Sequence, residues 1–128
     1  MESNKTDKVY VIVNPISGVR HQGLDEFKYM LHQQLDLAVF NPELFLTAYG
    51  GHAVEIARQG LAEGIRYFIV VGGDGTVNEV SGVLAGSDAV LGILPAGSGN
   101  GLAHHLEIPV KLKEAIQVFN SQKVLRID

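Results

Sequence analysis

Asp74 stands between Gly73 and Gly75, with Gly72 before it and Thr76, Asn78 and Glu79 after it. A carboxylate in such a place can take up a proton or hold a cation, while the glycines let backbone N–H groups come close to an anion. Thr76 and Glu79, three positions apart, have the spacing of a capping box that opens a helix. Gly75 is expected at positive φ, and the Asp74 carboxylate is expected to be buried among its glycines. Together these residues predict a turn for binding phosphate, with an acidic group at its centre.

Two further polar turns repeat the pattern. Asn14-Pro15-Ile16-Ser17-Gly18 follows one apolar run, and Pro95-Ala96-Gly97-Ser98-Gly99-Asn100-Gly101 follows another. Asn-Pro and Ser-Gly are common punctuation in any loop, so neither turn is specific alone. Their recurrence at the ends of three apolar runs is what points to one shared pocket.

The elements that must position these turns alternate along the chain. Residues 8–13, 67–71 and 90–94 are short runs rich in β-branched and apolar side chains, the pattern of strands buried on both faces. A further strand is expected over 44–48 and a last one over 123–127. Helices are expected over 24–37, 52–63, 76–84, 100–106 and 111–119, with Gly64 just past the end of the second and Pro109 after the fourth. Strands alternating with helices predict an α/β fold: a doubly wound, mostly parallel sheet with helices on both faces. In such a sheet ligands bind beyond the carboxyl ends of the strands, where the strand order reverses, and all three polar turns fall there.

Two common nucleotide signatures are missing. No Gly-x-Gly-x-x-Gly occurs, since the third glycine position is Leu102 in one loop and Asn78 in the other. A dinucleotide dehydrogenase is disfavoured on that ground. Nor is there a Gly-x-x-x-x-Gly-Lys-Ser/Thr loop, so no lysine is delivered to phosphate as in P-loop enzymes.

With 128 residues, 46% hydrophobic and 19% charged, the chain has the apolar content for one core. A net charge of −4 argues against a nucleic-acid partner, which would need a basic face. The absence of cysteine excludes disulfides and thiolate metal sites and is compatible with a reducing cytoplasm. Residues 1–7 are polar and read as a flexible segment, and no apolar run approaches the ~20 residues of a transmembrane helix. His104 and His105 are adjacent and so face different sides of a helix, which disfavours a shared metal. His52, behind Gly50-Gly51, could serve a helix terminus or contact a ligand, and Arg20 could reach a phosphate or simply be solvated. Phe27, Tyr29, Met30, Phe68 and Phe119 read as core residues.

Asn14-Pro15-Ile16-Ser17-Gly18, Thr47, the stretch from Gly72-Gly73-Asp74-Gly75-Thr76 through Val77-Asn78-Glu79-Val80, and Leu94-Pro95-Ala96-Gly97-Ser98-Gly99-Asn100-Gly101-Leu102-Ala103 resemble the catalytic-domain family of diacylglycerol kinases, sphingosine kinases and bacterial lipid kinases. The resemblance runs from Lys8 to the end of the chain. It implies a nucleotide-binding domain over 8–128, ATP with Mg²⁺, and transfer of phosphate to a lipid hydroxyl met at a membrane surface by a cytoplasmic or peripheral protein. It also implies a second, β-rich domain beyond this chain, without which the chain is inactive; self-association is compatible with it. Carried over by residue, it implies nucleotide contacts from Asn14, Pro15, Ser17, Gly18 and Thr47, phosphate contacts from Gly72, Gly73, Gly75 and Thr76, and completion of the site by Asn78, Glu79, Gly97, Ser98 and Gly99. Asp74 becomes the catalytic residue, assisting the substrate hydroxyl or organising the metal. Gly101 stands where many bacterial diacylglycerol-kinase-like members have aspartate and sphingosine-kinase-like members a small residue, which tilts the resemblance toward the latter. Kinases of NAD or sugar phosphates, which also use a glycine-aspartate-glycine loop, are the nearest enzymatic alternative. A module that binds nucleotide without transferring phosphate is the non-enzymatic one.

Overall fold

The computed structural model describes residues 6–15, 21–95 and 110–125. Within them the chain runs β1 (Asp7–Val13), α1 (His21–Gln34), β2 (Phe40–Leu46), α2 (His52–Ala62), β3 (Tyr67–Gly72), α3 (Asp74–Leu84), β4 (Val90–Pro95) and α4 (Val110–Leu125). The four strands form one sheet in the order β2-β1-β3-β4, every pairing parallel. The α/β, doubly wound reading holds.

The strand sequences explain the layering. β1 and β3 lie inside the sheet and are buried from Val9 to Val13 and from Tyr67 to Val71. Alternate residues feed two cores. Val9, Val11, Val13, Ile69 and Val71 pack with Phe27 and Leu31 of α1 and Ile116 and Phe119 of α4. Tyr10, Ile12, Phe68 and Val70 pack on the other face with Ala53, Ile56 and Ala57 of α2 and Val80 and Leu84 of α3. Fully burying a side chain such as Phe27 or Ile69 contributes about 1.5–3 kcal/mol, so the two cores are what hold the layers together.

The path through the sheet sets up the site. From β1 the chain crosses α1 to β2 on one side, then crosses α2 on the opposite face back past β1 to β3, and continues through α3 to β4. A fixed hand of crossover requires the face to change when the direction changes. The reversal therefore lies between β1 and β3.

Several expected boundaries move. β2 begins at Phe40 instead of residue 44, because Asn41, Pro42 and Glu43 hid it. Proline is tolerated there since β2 is an edge strand. α1 is shifted toward the N-terminus, spanning His21–Gln34 instead of 24–37. Asp36 stops it: its carboxylate accepts from the Ala38 N–H at 3.1 Å and its carbonyl from the Val39 and Phe40 N–H groups at 3.0 and 2.9 Å. Asn120 of α4 seals the same end, accepting the Asp36 N–H at 2.9 Å and donating to the Gln34 carbonyl at 3.0 Å. The last helix runs on to Leu125, so residues 123–125 are helical where a strand was expected. Tyr29 is 68% exposed, not core, whereas Phe27, Phe68 and Phe119 are buried as expected. Gly64, at φ 89°, follows α2 as predicted. The short helix expected over 100–106 lies outside the described residues.

Candidate functional site

At the reversal point the hydrogen-bond ladder carries past the strands into the loops. The Asn14 N–H donates to the Val71 carbonyl at 2.9 Å and the Thr47 N–H to the Val13 carbonyl at 2.9 Å. Both predicted residues are thus fixed at the carboxyl ends of neighbouring strands. The Asn14 Nδ2 then donates to Thr76 Oγ1 at 3.1 Å, tying the first polar turn to the first turn of α3. Thr76 is the one buried polar side chain among the described residues.

Gly72 permits that link. A Cβ there would stand 3.3 Å from the Cβ atoms of both Asn14 and Thr76, closer than most such contacts. Beyond it, Gly73 is the N-cap of α3 in an extended conformation and supplies no side-chain cap. The helix bonds begin with the Val77 N–H on the Gly73 carbonyl at 3.1 Å. The amides of the first turn therefore face outward at the positive end of the helix dipole, a setting that favours an anion.

Three expectations about this turn are corrected. Thr76 is the third residue of α3 and its hydroxyl oxygen accepts from Asn14, so the Thr76–Glu79 capping box does not form. Gly75 is helical and is not among the glycines at positive φ. Asp74 is exposed in the first turn of α3 instead of buried. The common reason is that the helix starts three residues earlier than the cap motif suggested, with Gly73 and not Thr76 as the N-cap.

A cleft of about 380 Å³ opens at this point, lined by Asn14, Pro15, Thr47, Gly75, Thr76 and Glu79 together with Ala48, Tyr49, Gly50 and Ala53. Six predicted residues from three separate segments thus line one cleft. Gly72 and Gly73 form the turn behind it, and Asp74 and Asn78 are exposed on α3 outside the lining. Ser17, Gly18, Gly97, Ser98 and Gly99 lie outside the described residues. A larger cavity of about 540 Å³ lies between β4 and α4, lined by residues such as Leu91, Gly92, Ile93 and Phe119. It offers no titratable side chain, so size alone does not mark the site.

The loop after β2 contributes what the sequence did not announce. The Ala48 N–H donates to His52 Nδ1 at 2.8 Å, which leaves the proton of the neutral ring on Nε2. His52 therefore serves the helix start. Its ring stacks on Tyr49 at 4.4 Å and 12°, and the Tyr49 hydroxyl donates to Glu55 Oε1 at 2.6 Å. That bond, with burial and the Glu55 charge behind it, raises the Tyr49 phenol above its ordinary value. A lone aromatic residue in a glycine loop, with an acid six positions on, was the available signal.

The donor set is suited to Mg²⁺ in one of its two usual modes. No group of three or more acidic or histidine ligands exists among the described residues, so a cage built by protein alone is absent there. Mg²⁺ is more often held by one or two carboxylates plus substrate phosphates and waters, and Glu79 in the cleft supplies one such carboxylate.

A sequence model described as Diacylglycerol kinase catalytic domain matches residues 8–128. A diacylglycerol kinase of Mycobacterium tuberculosis is 31% identical over 124 residues, covering 90% of this chain and 37% of that protein. One from Staphylococcus saprophyticus is 32% identical over 123 residues, covering 92% and 39%. The crystal structure of a diacylglycerol kinase from Bacillus anthracis superimposes with a TM-score of 0.64 at 29% identity, covering 92% of this chain and 43% of that one. The chain thus spans less than half the length of these relatives. Cleft, topology and sequence agree: the chain belongs to the diacylglycerol kinase catalytic domain family.

Proposed function

We propose that this chain is the ATP-binding part of a lipid kinase, which moves the γ-phosphoryl group of ATP to a lipid hydroxyl. The observation that carries the reading is the Asn14–Thr76 bond across the mouth of the sheet. It joins the turn after β1 to the first turn of α3 at the crevice where α/β sheets bind ligands, beside the uncapped amides of α3. Named diacylglycerol kinases among the relatives support the substrate class.

In this reading the amides of Asp74, Gly75 and Thr76 and the Asn14–Thr76 pair hold the phosphates, Thr47 and Pro15 flank the rest of the nucleotide, and Glu79 faces the cleft. Glu79, which lines the cleft, would help to hold Mg²⁺ against the phosphates, where the ion would neutralise their charge. The lipid oxygen attacks the γ-phosphorus in line, the bond to the β–γ bridging oxygen breaks, and ADP leaves. The hydroxyl proton passes to the Asp74 carboxylate. Exposure of Asp74 in the first turn of α3 suits that role, since the acceptor would arrive from solvent. The second, β-rich domain implied by the resemblance would present the lipid, and no helix among the described residues is long and apolar enough to cross a membrane.

Asp74→Asn in the full-length protein tests the assignment. Transfer from ATP to a long-chain lipid alcohol should fall by a factor on the order of 10² or more, while ATP affinity and thermal unfolding change little. Normal transfer would remove Asp74 from the chemistry. Failure of the parent protein to bind ATP in calorimetry would remove the nucleotide reading itself.

A further inference from the structure

The nucleotide reading leaves Tyr49, which also lines the cleft, without a task. Among the described residues lining the cleft, Tyr49 carries the only aromatic ring. It is 55% exposed, yet it is held at several points. His52 covers one face of the ring at 4.4 Å, Glu55 takes its hydroxyl at 2.6 Å, and its carbonyl accepts the His52 N–H at 3.1 Å. Tyr29, the other strongly exposed tyrosine, accepts from the Gln33 amide at its hydroxyl, at 3.1 Å, and no ring among the described residues stacks on it. Exposure is ordinary for a tyrosine on a helix surface. Exposure combined with a ring fixed at one face and at its hydroxyl by α2 calls for a reason.

A nucleotide has two chemically different ends. The phosphates suit the head of α3, and the base needs a flat, partly apolar surface that water leaves readily. Gly50, next to Tyr49, has nothing within 4 Å of a would-be Cβ, so the loop stays open beside the ring. We propose that Tyr49 is the shelf on which the purine base stacks, with His52 as the backing that holds the shelf still. The inference rests on the nucleotide reading above and names a specificity residue within it. A ring already immobilised loses little freedom when a ligand settles on it, so the stacking contribution reaches affinity almost undiminished. Stacking accepts any base with a π face, so the shelf favours nucleotides over bare phosphates and discriminates weakly between adenine and guanine.

Calorimetry on the full-length protein with ATP–Mg²⁺ and, separately, tripolyphosphate–Mg²⁺ tests the shelf in the parent, Tyr49→Phe and Tyr49→Leu. Leucine fills the space without a π face, and phenylalanine keeps the ring while releasing Glu55. Tyr49→Leu should weaken ATP about tenfold and leave tripolyphosphate unchanged, and Tyr49→Phe should stay within about threefold of the parent for both. Unchanged ATP affinity in Tyr49→Leu, with the parent binding normally, overturns the shelf and leaves the nucleotide reading standing. Equal losses for ATP and tripolyphosphate also overturn it, because the ring would then be shaping the loop. A parent that binds neither ligand overturns both readings.

Discussion

At Gly92 in β4 a Cβ would stand 2.6 Å from Phe119 Cδ1, whereas at Gly73 and Gly75, at the head of α3, it would meet nothing within 4 Å. Gly60, inside α2, resembles Gly92: its Cβ would lie 2.8 Å from Phe68 and 2.9 Å from Tyr10. The two sets serve different physics. Gly60 and Gly92 are places where an aromatic ring occupies the room a side chain would take, so they set how closely the layers pack. Gly73 is open toward solvent and Gly75 toward the cleft, so what they offer is free approach for something that is not protein. Glycine in the interior of a helix costs about 1 kcal/mol relative to alanine, and at Gly60 ring packing offsets it. At Gly75 nothing within the protein does.

The sharpest way to break this distinction is Gly92→Ala. The added methyl must displace Phe119, which also packs on Phe40 at 5.1 Å and Tyr67 at 6.1 Å, so the whole seam between α4 and the sheet is disturbed. Stability should fall by about 1–3 kcal/mol in denaturant titration, with ATP affinity of the folded protein unchanged. Loss of ATP affinity without loss of stability would reverse the assignment.

Gly72→Ala probes the boundary between the two sets. Its methyl would press on Asn14 and Thr76 at 3.3 Å, so the neighbours must yield by a few tenths of an ångström. Destabilisation should be about 1 kcal/mol, the lower end for overpacking, and ATP affinity should fall several-fold as the Asn14–Thr76 bond opens. If affinity holds while stability drops, the bond is structural only.

The difference between the glycines also shows what could be read from sequence. β1, β3 and β4 were legible because each is an apolar run ending in a polar turn, and their order and parallel pairing followed from the alternation with helices. β2 was legible only in part, because an edge strand exposes one side and tolerates Asn41, Pro42 and Glu43. The last strand was a misreading: Val124 and Leu125 look like strand residues, yet they continue a helix. Six cleft residues were found because their motif carried them. The conformation of Gly75, the exposure of Asp74 and the part played by Tyr49 were not legible, since each depends on where α3 starts or on a contact between neighbouring loops. Local sequence names the turn, but only three-dimensional packing says which backbone angle it adopts.

Gly75→Ala sharpens the point with a smaller effect. The position is helical and unobstructed, so alanine should leave stability unchanged or raise it by up to about 1 kcal/mol. Any fall in ATP affinity then reports close approach of phosphate to the backbone, uncoupled from folding. Equal affinity for ATP would show that phosphate does not approach Gly75 closely.

The smallest effect is expected from Tyr10→Phe, which acts in the packed half and should leave the cleft alone. The Tyr10 hydroxyl donates to Glu63 Oε1 at 2.6 Å, joining β1 to the residue that follows α2. The bond, with burial and nearby carboxylates behind it, pushes the phenol up to about 12, and it holds the Glu63 carboxyl below its ordinary value, helped by Gln59. A carboxyl lowered in the folded state adds stability above its unfolded value of 4.5, and that contribution is lost as the pH falls through the lower folded value. A phenol raised in the folded state adds stability below its unfolded value of 10.0, and that contribution is lost as the pH rises toward about 12. The parent's melting temperature should therefore drop more steeply than that of Tyr10→Phe on both sides of neutral pH, with the largest separation between the two in the middle of the range. ATP affinity should be the same in both. Parallel pH profiles would mean that the hydroxyl and carboxylate are not bonded in solution, and a change in ATP affinity would mean that the packed half and the cleft are coupled through β1.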